Sequence, residues 1–313
     1  MKKRWLTTLW LLCVLFMAAA AHSQSHLPAY PPVVPGHALH FPRDHGAHPD
    51  FRTEWWYVTG WLQTANGAPR GFQVTFFRSR PPLNQTDPSR FAPKELLFAH
   101  AAVSDPTLGK LQDDQRAARA GFGLAEAAGD DTNVHIGAWS LRRDSDGTYH
   151  TVVHAREFTL ELTLEPTQPL LLQGERGYSR KGPLAPQASY YYSQPQLKVA
   201  GALTRHGKRE IVNGTAWLDH EWSSATLDEQ AVGWNWVGIN FDDGSALMAF
   251  QIRNKAGSKF WAGGTLRRSD GSIVTLPGSA VNFSPRRLWR SPRTGTEYPV
   301  AMHIQAGNLT LDL

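Results

Sequence analysis

Apolar and polar positions alternate with a period of two along most of this chain. The clearest run is residues 158–165, where Phe158, Leu160, Leu162 and Leu164 interleave with Thr159, Glu161, Thr163 and Glu165. Such a pattern marks a half-buried antiparallel strand. Further strands are predicted over 54–62, 71–78, 95–103, 133–141, 148–155, 211–222 and 234–241. Asn66-Gly67 supplies a hairpin turn between the first two of these. Residues 113–128 read as the one helix, a short one, and residues 173–188 as a long turn-rich loop.

The pattern also repeats. Trp56-Tyr57-Val58-Thr59-Gly60, a turn and a strand ending Phe76-Phe77-Arg78 are echoed by Trp236-Val237-Gly238-Ile239-Asn240, a turn at Asp243-Gly244 and a strand ending Phe250-Gln251-Ile252-Arg253. The echo points to duplication of an all-β unit, and a chain of 313 residues has the length of about two domains. Antiparallel units with regularly spaced short strands often close as barrels. The first barrel is expected over 51–226 and the second over 227–313. Some 80 residues after Trp234 are few for eight strands of about six residues with their turns, so the second barrel is expected to be incomplete.

Composition agrees with strands and turns. Gly 27, Pro 21, Trp 12, Phe 14 and Tyr 8 accompany a charged content of only 19%, a mix that disfavours long helices. At the N-terminus, Lys2-Lys3-Arg4 precede an apolar run ending in four alanines, with small residues at Ala19 and Ala21. This reads as a signal peptide over 1–21, with export to the periplasm or beyond; a retained anchor is the alternative. Cleavage would remove three of the positive charges behind the formal +5 and also Cys13, the only cysteine. What remains has no disulfide, no thiolate and no basic tract, so nucleic-acid binding has no footing. Residues 22–50 hold six of the 13 histidines among many prolines. Their spacing fits no compact metal site, and the segment is expected to lie extended on the surface.

The densest candidate chemistry is Asp219-His220-Glu221 between Trp217 and Trp222. On a strand, His220 and Trp222 share one face, and Asp219 and Glu221 share the other. An acid beside an aromatic wall suits proton donation to an alkene, the ring face steadying the resulting cation. The same residues also fit an ordinary core strand with a solvated end. Tyr190, Tyr191 and Tyr192 fit either alternating packing or a proton relay. Candidate ligand contacts are Trp55, Tyr57, His100, Tyr178, Lys181, Tyr191 and Trp236.

Five segments together (48–62, 177–182, 189–197, 214–224 and 233–244) resemble the carotenoid 1,2-hydratase family, in its secreted, lipocalin-like branch of predicted hydrolases. The resemblance runs from about residue 41 to the end. It implies two tandem lipocalin-like barrels. It also implies water addition to an isolated double bond of a long isoprenoid, with no cofactor and no metal. In that family, catalysis is assigned to a histidine and a tryptophan two residues apart, with a tyrosine and an aspartate further on. His220 and Trp222 match the first pair, and Asp242 is the nearest counterpart for the aspartate; the tyrosine has none. Relatives in the secreted branch are associated with ABC-transport genes, so a non-enzymatic carrier of an apolar lipid or isoprenoid is the second implied function.

Overall fold

The computed structural model describes residues 30–82 and 87–313; the segment read as a signal peptide, with Cys13, lies outside them. The described residues form strands and two single-turn 3-10 helices, without an α-helix. The first sheet contains β1 (Thr53–Thr64), β2 (Pro69–Ser79), β3 (Leu96–Ser104), β4 (Leu111–Arg119), β5 (Ala125–Ala127), β6 (Asn133–Ile136), β7 (Trp139–Arg143), β8 (Tyr149–His154), β9 (Thr159–Pro166), β10 (Leu171–Leu172), β11 (Tyr178–Arg180), β12 (Ala188–Arg205) and β13 (Lys208–Ser223). Its main path runs β4-β3-β2-β1-β13-β12-β9-β8-β7-β6-β5. The two ends approach each other, with the Arg116 guanidinium of β4 lying 4.9 Å from the Trp139 ring of β7. The result is a nearly closed barrel.

Two smaller sheets follow. One orders β14 (Ala231–Asn240), β15 (Ala246–Asn254), β16 (Lys259–Arg267) and β17 (Ile273–Leu276); the other orders β18 (Val281–Arg290), β19 (Glu297–Ala306) and β20 (Leu309–Asp312). They pack together around Leu247, Ala249, Val281, Phe283 and Ile304. These seven strands form two sheets rather than one closed barrel. The two echoed hairpins do correspond: Trp56 lies opposite Phe76, and Trp236 opposite Phe250.

Three expectations are corrected. Residues 113–128 form β4, a turn and β5 rather than a helix. Their Ala/Arg/Gln-rich composition favours helix, but Gln112 and Asp114 alternate inward and β3 offers a full row of partners, so tertiary pairing overrides local propensity. The strand at 133–141 is two, broken at Gly137, whose φ of 55° suits glycine. The described segment before residue 50 is a surface arm only in part: residues 34–38 and 40–43 are exposed, whereas Val33 and residues 44–48 are buried, the latter plugging one end of the barrel.

β13 shows why the site lies where it does. From Ala216 to Ser223 it is buried on both faces. One face joins the barrel core through Ala216, Leu218 and Trp222. The other is covered by the second sheet, where Trp217 and Tyr191 pack with Met248, Phe250 and Ile252. A strand covered on both sides loses its polar alternation, so the ionisable side chains it keeps must each find partners. Gly238 on β14 permits the close approach: a Cβ there would stand 2.7 Å from the Trp236 ring and 2.8 Å from that of Trp217. A bulge in β12 at Gln196 ties the layers further, its N–H donating to Asn240 Oδ1 at 2.9 Å.

Candidate active site

The two faces of β13 hold two different sets of polar groups. The inner set begins with Glu54, which is fully buried on β1. The register places it opposite both Arg78 of β2 and Trp222 of β13. Glu54 Oε2 accepts from Arg78 Nε and from the His48 backbone N–H, each at 2.8 Å. Its Oε1 lies 2.7 Å from His48 Nδ1 and 2.9 Å from His220 Nε2. His48 Nε2 faces Asp44 Oδ1 at 3.2 Å, so both ring nitrogens meet carboxylates. Although burial opposes the charge, these bonds raise its pKa. Burial outweighs Glu54 at His220 and lowers its pKa. The remaining bonds fit one direction of donation: His45 Nδ1 to the Tyr192 hydroxyl at 2.8 Å, and that hydroxyl to His220 Nδ1 at 3.1 Å. Trp222 stacks on His48 at 3.7 Å between ring centres, and His220 on Trp56 at 4.6 Å.

His48, Glu54 and His220 have the composition of a metal site, and their donor atoms lie within 4.8 Å of one another. The fit is poor. Glu54 is already committed to a guanidinium and two imidazoles, and both ring nitrogens of His48 already meet carboxylates. The arrangement is a hydrogen-bonded core network.

The outer face of β13 opens on a cavity of about 920 Å³ between the first and second sheets. Its floor is two cross-strand rows. Phe77, Trp55, Glu221 and Tyr191 come from β2, β1, β13 and β12; Thr75, Tyr57 and Asp219 form the parallel row beside them, with Ser193 of β12 paired to Asp219 outside the lining. Trp234 and Trp236 of β14 and Phe250 of β15 form the facing wall. Burial pushes the Asp219 carboxyl up to about 7, against donors from Ser193, Trp217 and Tyr191, and the nearby Glu221 charge adds to the rise. Asp219 Oδ1 accepts from Ser193 Oγ at 2.5 Å and from Trp217 Nε1 at 2.6 Å. Burial likewise holds Tyr191 well above the usual phenol range, and its hydroxyl accepts from Trp236 Nε1 at 3.2 Å. Glu221 Oε1 stands 3.0 Å from Lys181 Nζ, an ion-pair distance at which it nevertheless lacks a well-angled hydrogen bond.

Against this geometry, residues 32–313 match the AttH-like family. The chain belongs to that family. A crystal structure of a candidate AttH from Nitrosomonas europaea is similar at 54% identity with a TM-score of 0.83, over 89% of this chain and 84% of that one. The kievitone hydratase of Nectria haematococca shares the fold at 13% identity and a TM-score of 0.65, over 90% of this chain and 81% of that one. Among curated proteins, none matches.

In this AttH-like chain the sequence-derived candidates divide by strand face. Asp219, Glu221, Trp55, Tyr57, Lys181, Tyr191 and Trp236 all line the cavity. His220 and Trp222 share a face, as alternation requires, but it is the opposite one, packed into the barrel core with His220 fully buried. Asp242 is exposed in the turn after β14 and stays outside the cavity. His100 is exposed on β3 with its ring 5.4 Å from Phe77. Tyr178 sits in the barrel core, its hydroxyl donating to the Ala185 carbonyl at 2.8 Å. Sequence reasoning missed Glu54, Arg78, His45 and His48. A signal for the first two existed: alternation puts Glu54 on the face of Trp56 and Val58, and the Asn66-Gly67 hairpin puts Arg78 across from it.

Proposed function

We propose that this AttH-like protein takes an apolar small molecule into the cavity between its first two sheets and adds water to an isolated double bond there, without a cofactor. The observation that carries this reading is Asp219, a buried carboxyl with a pKa of about 7 in an aromatic cavity. A general acid works best with a pKa near the working pH. Asp219 gives its proton to one alkene carbon and the other becomes cationic. A water oxygen bonds to that carbon, and the proton it sheds returns to the Asp219 carboxylate. Trp55, Tyr57 and Trp236 face the developing charge. A desolvated ring contact is worth about 2 kcal/mol, roughly 30-fold in rate, so the rings assist the acid rather than replace it. His220 enters as part of the support behind the strand. The likeness to the carotenoid 1,2-hydratases and the shared fold of a kievitone hydratase agree with this chemistry, and the basic and apolar N-terminal segment agrees with export.

A second reading is a carrier that holds the molecule unchanged, in the service of a transporter of the ATP-binding-cassette type. It is favoured by the mostly apolar surface of the cavity, to which Trp55, Tyr57, Phe77, Trp234, Trp236 and Phe250 contribute.

The test is to identify by mass spectrometry the molecule that co-purifies from the native host, then incubate it with the protein in heavy-oxygen water. Hydration predicts a product carrying the label, lost in Asp219→Asn while ligand affinity stays within a few-fold. Tight binding without label establishes the carrier. An empty cavity and no labelled product overturn both readings.

A further inference from the structure

The cavity already holds a cation. Lys181 Nζ lies 4.7 Å from the centre of the Tyr191 ring and 4.4 Å from that of Phe250, with Glu221 as counter-ion at 3.0 Å and Ser179 Oγ at 3.2 Å. This is the geometry in which aromatic faces hold an ammonium group. Further rings continue from it along the cavity: Trp55 next to Glu221 across the β1–β13 pair, Tyr57 next to Asp219, and Trp236 with its ring 5.5 Å from Tyr57 and perpendicular to it. The charge balance points the same way. Apart from Asp219, the proton donor, Glu221, Asp228 and Glu229 line the cavity against Arg52 and Lys181, and Arg52 is directed at the Tyr30 ring, 6.0 Å away. Glu221 Oε1, the oxygen beside Lys181, makes no well-angled hydrogen bond with it. An entering cation would meet π-faces and carboxylates; an entering anion would meet acids at the mouth and a lysine whose charge is already neutralised.

We infer that the cavity binds an organic cation, a substituted ammonium carried on an apolar body, and that Lys181 is a built-in occupant of the aromatic cage which such a ligand displaces. The inference rests on this cavity being the ligand site, but it does not require the hydration step. In the lysine's absence the ligand's ammonium would stand between Tyr191 and Phe250, with Glu221 as its counter-ion and the alkyl portion extending towards Trp234 and Ile252.

Three probes of equal chain length separate charge from apolar contact: octyltrimethylammonium, octanol and octyl sulfate. Each is titrated into the full protein below its aggregation concentration, with tryptophan fluorescence and calorimetry as readouts. The ammonium should bind about tenfold more tightly than octanol, and the sulfate most weakly, because a desolvated cation–π contact with a counter-ion contributes about that factor. Lys181→Met should raise the affinity for the ammonium by about a further tenfold and change that for octanol less than about twofold. Octanol binding as tightly as the ammonium to the wild-type protein would overturn the inference and leave the apolar-ligand reading standing. An ammonium preference that Lys181→Met leaves unchanged would overturn the role of the lysine as an occupant. If none of the three binds, the cavity is not the ligand site, and the proposed function falls with this inference. The wild-type comparison does not depend on any variant folding.

Discussion

Asp219 carries the largest consequence of a single side chain. Its carboxyl titrates at about 7 in the fold, and near the ordinary aspartate value of about 3.9 in the unfolded chain. Between those two values the folded state keeps a proton that the unfolded state has released, so stability falls as pH rises through the window and levels off above it. Asp219→Asn keeps an oxygen for Ser193 and Trp217 and removes the titration. Its melting temperature should therefore exceed that of the wild type by a margin that widens up to neutral pH and then stays constant, even as any hydratase activity disappears. A margin independent of pH would show that Asp219 does not titrate there. The residue was legible in the sequence: its type, its neighbours and its strand face all follow from alternation. Which of the two faces meets a ligand was not legible, because that depends on a second sheet contributed by residues 231–276, and nothing in the period of one strand says what will cover it.

At the scale of the element, the β1–β2 hairpin does the most to position the network. Its turn fixes the register that sets Glu54 against Arg78, and the segment before residue 50 then closes over them with His48. Removing one charge of a buried pair leaves the other uncompensated, at a cost of about 3–5 kcal/mol. Glu54→Gln should lose stability of that order in denaturant titration, with the cavity-side Asp219 still titrating in whatever remains folded; a loss below about 1 kcal/mol would mean that Arg78 finds another anion. Both strands of this hairpin were readable from their apolar period and their turn. β4 was not. Gln112 and Asp114 point inward at the barrel seam, where Asp114 meets Arg116 and Arg156, and polar inward residues erase the period-two signal. The histidines near residue 45 were missed for a related reason: prolines around them imply an extended chain, and only the buried Glu54 reveals that the chain must fold back.

For the whole molecule, acid stability depends on the plugged end of the barrel. Burial holds His45 neutral, with its pKa lowered to about 3. The unfolded chain takes up that proton near 6.5, so stability is lost as pH falls from there towards the folded value. His220 acts in the same direction. His48 opposes it, since its raised pKa contributes stability that is complete below the unfolded value and is lost as pH climbs through the folded one. His45→Asn should therefore retain more of its neutral-pH stability at about pH 4 than the wild type does, as read by thermal melts across the range. An unchanged acid limb would assign acid unfolding to other groups.

The double covering of β13 has a kinetic side. An amide exchanges with solvent only when its surroundings open, and amides at the surface of a sheet open by local fluctuation. From Ala216 to Ser223 no single layer can lift away to expose the backbone, because the barrel core lies on one side and the second sheet on the other, with β1 and β12 hydrogen-bonded along both edges. In heavy water these amides should be the last to carry protium, exchanging at the rate of global unfolding. A ligand bound in the cavity should slow them by the full stabilisation that it confers on the fold, which makes this strand a reporter of occupancy before the ligand has a name.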